Sequence, residues 1–148
     1  QKLYFSTFQY GKLTPVFKNL EQTERALSSI QADEQILLLT GIASPLTLVN
    51  ELHNYTSHVD YLAFDDHHDF SAKDMELLHE RFNQIKAEKK IIVTTEKDAA
   101  RLLHHPALKN ELKSYLYALP IEVKILQNQE KKFNQNIIGY VRENKKNS

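Results

Sequence analysis

Five consecutive residues, Asp65-Asp66-His67-His68-Asp69, carry three carboxylates and two imidazoles between Phe64 and Phe70. A carboxylate beside an imidazole fixes its tautomer and raises its basicity, as a general base or an orienting partner requires. Adjacent side chains on extended backbone point to opposite sides, so His67 and His68 do not easily face one ligand. One of them is then functional and the other structural. The competing reading is a solvated turn that satisfies its own polar groups. A second cluster is Thr94-Thr95-Glu96-Lys97-Asp98. Threonine hydroxyls and a lysine at a helix start suit a phosphate or a sugar hydroxyl. Against this stands the plainer possibility that Thr95 or Asp98 caps the next helix while Glu96 and Lys97 pair on the surface.

These clusters need rigid supports, and the hydrophobic pattern supplies them. Gln35 to Thr40 carries the continuous apolar run Ile36 to Leu39, as in a strand buried on both faces of a parallel sheet, and Gly41 ends it. Ser44-Pro45 reads as N-cap and N1 of a helix whose apolar face is Leu46, Val49, Leu52 and Tyr55. Val59 to Phe64 is the next strand, running directly into the Asp-His cluster. Ser71 and Asp74 form a capping-box variant for a helix from Ala72 to Glu88, with Met75, Leu78, Phe82 and Ile85 as its stripe. Ile91 to Thr95 is a β-branched third strand, and Ala99 to Leu103 a short helix. Leu116 to Leu119 and Val123 to Leu126 read as strands around Pro120, and Phe133 to Val141 as a terminal helix with a frayed tail after Asn144.

At the other end, residues 2–17 alternate, with Leu3, Phe5 and Thr7 on one side and Tyr4, Ser6 and Phe8 on the other. Gly11-Lys12 then turns the chain and Leu13 to Phe17 returns, predicting a β-hairpin with Pro15 on an edge strand. Asn19 to Glu34 is a polar connection of low order with a helical possibility around Leu20 to Ile30. Strand–helix alternation predicts an α/β fold, a three-layer α/β/α sandwich with a mainly parallel sheet, preceded by the hairpin. In such a sheet the polar turns Thr40-Gly41, Asp65 to Asp69 and Thr95 to Asp98 all follow carboxyl ends of strands and converge on one edge.

Composition narrows the function. The chain has 148 residues, 41% hydrophobic and 26% charged, with 19 basic against 19 acidic side chains and no cysteine. That fits one ordinary globular domain, excludes disulfides and thiolate zinc sites, and leaves no nucleic-acid footprint. No apolar run approaches the length of a bilayer span. With glycines only at 11, 41 and 139, neither a Walker A loop nor a dinucleotide fingerprint can be written, and no Gly-x-Ser-x-Gly elbow exists. The chain starts at Gln1, as an excised piece of a longer protein would. Asp-His-His also occurs in the manganese phosphoesterases named for it, but those need an early Asp-x-Asp, and Asp33 stands alone here. No metal ligand set is expected, and the alternatives are a stand-alone phosphoesterase-like hydrolase using Asp66 and His67 with a metal, or a non-catalytic interaction domain that docks through the aromatic hairpin.

Phe64-Asp-Asp-His-His-Asp-Phe70 and Val93-Thr-Thr-Glu-Lys-Asp-Ala99, in this order, resemble the tetraacyldisaccharide 4'-kinase (lipid A 4'-kinase) family. Leu39-Thr-Gly-Ile-Ala43 is similar to the family's Gly-Ile loop, and Tyr117-Ala-Leu-Pro-Ile-Glu-Val123 to its Tyr-x-Leu-Pro-Val segment. Asp65 departs from the frequent proline. The resemblance covers the whole chain but only the C-terminal part of the family protein. It implies a linker over residues 1–18 and an α/β domain over 19–148, with the N-terminal P-loop domain outside the chain. The implied reaction moves the ATP γ-phosphate to the 4'-hydroxyl of a tetraacylated disaccharide 1-phosphate, at the cytoplasmic face of the inner membrane. ATP and Mg2+ are implied to bind mainly to the N-terminal domain, so that this piece alone is soluble and inactive. By motif position His67 is implied to pair with a catalytic aspartate of the N-terminal domain, and Asp66 beside it is the second catalytic candidate. Thr95, Glu96, Lys97, Asp98 and His68 are candidates for substrate or nucleotide contact.

Overall fold

A computed structural model describes residues 5–18, 22–42, 45–66 and 68–126. The expected cap Ser44, the expected helix from Phe133 to Val141 and His67 itself lie outside the described residues.

The chain forms two units. In the first, β1 (Phe5–Tyr10) pairs antiparallel with β7 (Ile121–Leu126), Phe5 opposite Leu126 and Tyr10 opposite Ile121. This corrects the expected hairpin: β1 takes a partner more than a hundred residues away. The Gly11-Lys12 turn does not fold Leu13 to Phe17 back onto β1. The return strand shrinks to β2 (Thr14–Pro15), which pairs with β6 (Leu116–Leu119) in the second unit. Alternation predicted the strand correctly, but partner choice is set by non-local pairing that local turn chemistry does not encode.

The second unit is built on a five-stranded sheet in the order β2-β6-β5-β3-β4. β3 (Gln35–Thr40) lies between β4 (Val59–Ala63) and β5 (Lys90–Thr95), and β3, β4, β5 and β6 are mutually parallel. Only β2 runs against them. The chain is thus an α/β fold with a mainly parallel sheet, as the alternation of elements predicts. Ile36, Leu37, Leu38 and Leu39 are all fully buried, so β3 is covered on both faces. β4 is the edge. Its Asp60 accepts a hydrogen bond from the Tyr61 N–H and another from Arg81, which blunts the edge against further pairing.

Helices follow the parallel strands. α1 (Leu46–Leu52) starts at Pro45 and buries Leu48, Val49 and Leu52. Leu46, expected on the inner face, is exposed, and the chain leaves the helix before Tyr55. α2 (Ala72–Gln84) begins with a complete capping box between Ser71 and Asp74 and buries Met75, Leu78 and Phe82 against Leu37, Leu39 and Ile92. It ends four residues earlier than the predicted Glu88, although Lys86-Ala87-Glu88 are good helix formers. Lys90 explains the stop. Its ammonium donates to the Phe82 and Ile85 carbonyls at 2.9 and 3.0 Å and lies 4.3 Å from the Phe82 ring centroid. A cation on the last carbonyls satisfies groups that a longer helix would have bonded itself. α3 (Glu96–Leu103) follows β5 without a break, so Glu96, Lys97 and Asp98 form its first turn and do not interrupt the strand.

The polar connection is firmer than its composition suggests. Leu13 and Arg25 exchange backbone hydrogen bonds at 2.8 and 3.0 Å, and a 3-10 turn spans Leu27–Ser29. The Arg25 guanidinium grips both oxygens of Glu34 at 2.8 Å. Burial pushes the Glu34 carboxyl up, but Arg25 and the Gln31 N–H outweigh it and hold the group below the usual carboxylate range. Planar, two-point pairing gives this loop an order that a count of polar residues misses.

Candidate active site

The three polar turns do meet at the carboxyl edge of the sheet. Their centre is Asp98, 1% exposed. Its Oδ2 accepts from the Gly41 N–H at 2.9 Å and from the Thr95 hydroxyl at 2.8 Å. The Thr95 hydroxyl in turn accepts from the Asp98 N–H at 3.1 Å, capping α3. One carboxylate therefore ties the end of β3 to the start of α3. Gly41 fits closely here: a Cβ would stand 3.2 Å from Asp98 Oδ1, a tight contact that the carboxylate would have to relieve by shifting. Thr94, fully buried, donates to the Leu39 carbonyl at 2.8 Å.

The third turn is fastened at both ends. On its N-terminal side the Phe64 N–H donates to the Thr40 carbonyl at 2.8 Å. The His68 N–H donates to the Asp65 carbonyl at 3.0 Å, closing a four-residue turn. On the C-terminal side the His68 ring stacks on Phe64 at 4.6 Å and its Nε2 meets Asp74 Oδ2 at 2.7 Å. The same Asp74 oxygen accepts from the Ser71 N–H. Burial pushes the Asp74 carboxyl up, but Ser71 and His68 outweigh it and leave it below the usual range. His105 closes the far side: its Nδ1 accepts from the Ala107 N–H, so Nε2 carries the proton donated to the Phe70 carbonyl at 2.7 Å.

The candidate residues thus fall into two groups. Asp66, Glu96 and Lys97 are exposed at the edge, and Lys97 Nζ lies 3.5 Å from Asp66 Oδ1. Thr95, Asp98 and His68 are turned inward on the partners just described. Sequence reasoning missed Arg101. Its Nη1 donates to the His68 carbonyl at 2.6 Å and lies 3.9 Å from Asp98 Oδ1. The available signal was its spacing, one helical turn after Asp98. Among the described residues no three His, Cys, Asp or Glu side chains gather as a metal site would need.

Against this geometry, comparisons with known proteins are specific. The family described as Tetraacyldisaccharide-1-P 4'-kinase (LpxK) matches residues 5–142. The chain belongs to the tetraacyldisaccharide 4'-kinase family. The tetraacyldisaccharide 4'-kinase of Bacteroides thetaiotaomicron is 56% identical over 154 residues, taking in 100% of this chain and 40% of that protein. The kinase of Bacteroides fragilis is 56% identical over 148 residues, and that of Phocaeicola vulgatus 51%. The chain therefore spans about 40% of the length of the tetraacyldisaccharide 4'-kinases it matches. A crystal structure of LpxK from Aquifex aeolicus in complex with ATP is a distant match, 17% identical with a TM-score of 0.44 over 87% of this chain and 34% of that one. Among the described residues no helix is long and apolar enough to cross a membrane.

Proposed function

We propose that this chain is the C-terminal part of a kinase that transfers the ATP γ-phosphate to the 4'-hydroxyl of a tetraacyldisaccharide 1-phosphate, and that it completes the active site on domain closure. The observation that carries this is the meeting of three strand-end turns at one sheet edge, with Asp66 and Lys97 left facing solvent in a member of this kinase family. ATP and Mg2+ are held by a P-loop domain preceding this chain. Phosphoryl transfer depends on positioning and on charge, so one imidazole that orients the base for the 4'-hydroxyl is a sufficient contribution from a closing domain. His67 fills that role, with Asp66 as the neighbouring carboxylate that holds its tautomer. Lys97 and Glu96 contact the nucleotide or the sugar phosphate, while Thr95, Asp98 and His68 keep the edge in shape. The chain alone does not turn over substrate. The intact enzyme works at the cytoplasmic face of the inner membrane, where its lipid substrate lies.

The deciding experiment compares wild type and His67→Ala in the intact kinase, with folding followed by circular dichroism. A large loss of kcat with an unchanged fold is the expected result, and unchanged turnover overturns the assignment of His67. Lys97→Ala sharpens the second group: a raised KM is expected, whereas normal kinetics with lowered stability leaves Lys97 a purely structural residue.

A further inference from the structure

Arg101 is a cation that the fold holds from one side only. Its Nη1 donates to the His68 carbonyl at 2.6 Å and lies 3.9 Å from Asp98 Oδ1. That carboxylate is buried and Oδ1 has no hydrogen-bond partner among the described residues, so it fixes the guanidinium by charge without using up its donors. A guanidinium carries its N–H groups in a rigid planar fork, and only Nη1 is engaged here. Nε and Nη2 have no partner among the described residues, neither is sealed in the interior, and the side chain is 27% exposed. Lys97 stands one helical turn earlier on the same face of α3. Its ammonium reaches the turn after β4 at Asp66, as Arg101 reaches it at His68. Two cations at this helical spacing repel each other, and a shared anion relieves the repulsion.

We propose that Arg101 is a phosphate-binding residue: Nε and Nη2, with the Lys97 ammonium, take the oxygens of a phosphoryl group brought to this edge by a phosphorylated substrate. The proposal rests on the kinase reading above, which offers the phosphates of the nucleotide and the 1-phosphate of the disaccharide. A fork that is already oriented loses little freedom on binding, and planar two-point contact is what arginine offers a phosphate and lysine does not. Asp66 and Glu96, exposed at the same edge, make it a poor trap for a free anion. They favour a phosphate whose substrate is held elsewhere on the enzyme, because contact here then costs little further entropy.

The test is made in the intact kinase. The KM for ATP, the KM for the tetraacyldisaccharide 1-phosphate and kcat are measured for wild type, Arg101→Gln and Lys97→Ala, with folding followed by circular dichroism. Arg101→Gln is expected to raise KM for one of the two substrates by about tenfold to a hundredfold, as loss of a charged hydrogen-bonding group does, with the other KM and the melting temperature nearly unchanged. A raised KM for ATP assigns the site to a nucleotide phosphate, and a raised KM for the disaccharide assigns it to the 1-phosphate. Lys97→Ala should raise the same KM, and Arg101→Lys should recover part of the loss, since lysine keeps the charge without the fork. Unchanged KM values for both substrates overturn the proposal. So does a fall in kcat or in melting temperature alone, or a split in which Arg101 and Lys97 act on different substrates. If Arg101→Gln does not fold, Arg101→Lys replaces it: a smaller rise in the same KM is expected, and an unchanged one overturns the proposal. An intact protein without 4'-kinase activity removes the reading beneath, whereas an active one with normal KM values in Arg101→Gln removes only the phosphate site.

Discussion

The carboxyl ends of β4 and β5 each deliver an aspartate to the same edge of the sheet, and the fold treats them in opposite ways. The Asp66 side chain is 52% exposed and touches Lys97 at 3.5 Å, a weak and solvent-screened contact. Asp98 is buried, accepts two hydrogen bonds and has an arginine beside it. A carboxylate that holds two strand ends together cannot change partners during a reaction without loosening them. One that faces solvent on a fastened turn can. The difference assigns geometry to Asp98 and leaves Asp66 free for the role proposed for it.

The comparison breaks most directly at Asp98. Asp98→Ala leaves the Gly41 N–H and the Thr95 hydroxyl unsatisfied in the interior, and is expected to cost about 3 kcal/mol. Asp66→Ala is expected to stay within about 0.5 kcal/mol. Urea denaturation of the two variants reads the difference, and equal costs would erase the distinction between the aspartates.

Gly41→Ala comes next. Its methyl group meets Asp98 Oδ1 at 3.2 Å, and that carboxylate is fixed by its two donors, so the expected cost is about 1–2 kcal/mol. The cost should shrink in an Asp98→Ala background, where the obstacle is gone. If it does not shrink, the glycine answers to the Asp65 carbonyl instead, and Asp98 loses part of its claim to the centre.

Acid provides a third handle. Glu34 and Asp74 are both held below the usual carboxylate range by their partners. A depressed folded-state pKa contributes stability above the unfolded carboxyl value and loses it as pH falls through the folded one, so unfolding free energy should decline from about pH 5 downward. Glu34→Gln should flatten that decline while lowering stability at neutral pH by about 1–2 kcal/mol, because Arg25 is left half-buried with a weaker partner. Asp74→Asn should flatten it less, its carboxylate being one partner among several at the start of α2. Identical acid limbs for wild type and both variants would show that neither carboxylate is held as described.

Much of this was legible in the sequence because it depends on local pattern. The buried run from Ile36 to Leu39, the Ser71–Asp74 box and the order of strand and helix specified the parallel sheet, and the sheet in turn specified that Gly41, Asp65 to Asp69 and Thr95 to Asp98 would share an edge. What failed depends on distant partners. Nothing near Phe5–Tyr10 announces Ile121–Leu126 as its mate, so a glycine turn was read as a hairpin. Lys90 lies close in sequence, but its hold on the Phe82 carbonyl depends on β5 packing beside the end of α2, so the helical pattern runs past the true end. The site shows the same division. Its motifs were visible, but which aspartate is buried depends on the direction a helix start faces, and Arg101 became visible only once α3 lay against the turn after β4.

The smallest effect bears on what Asp66 is free to do. A double-mutant cycle of Asp66→Ala and Lys97→Ala on stability should give a coupling of no more than about 0.5 kcal/mol. It should vanish near 1 M salt, where the screening length is about 3 Å. Both side chains are half-exposed, at 52% and 51%, so water competes for each charge and the long lysine loses rotamer freedom in making the contact. A coupling several times larger and insensitive to salt would mean that Lys97 holds Asp66 as firmly as Thr95 and Gly41 hold Asp98. The aspartate would then not be available to His67, and the exposed half of the edge would be structural too. A weak, screened coupling keeps Asp66 and Lys97 able to exchange each other for other partners, which the function proposed for them requires.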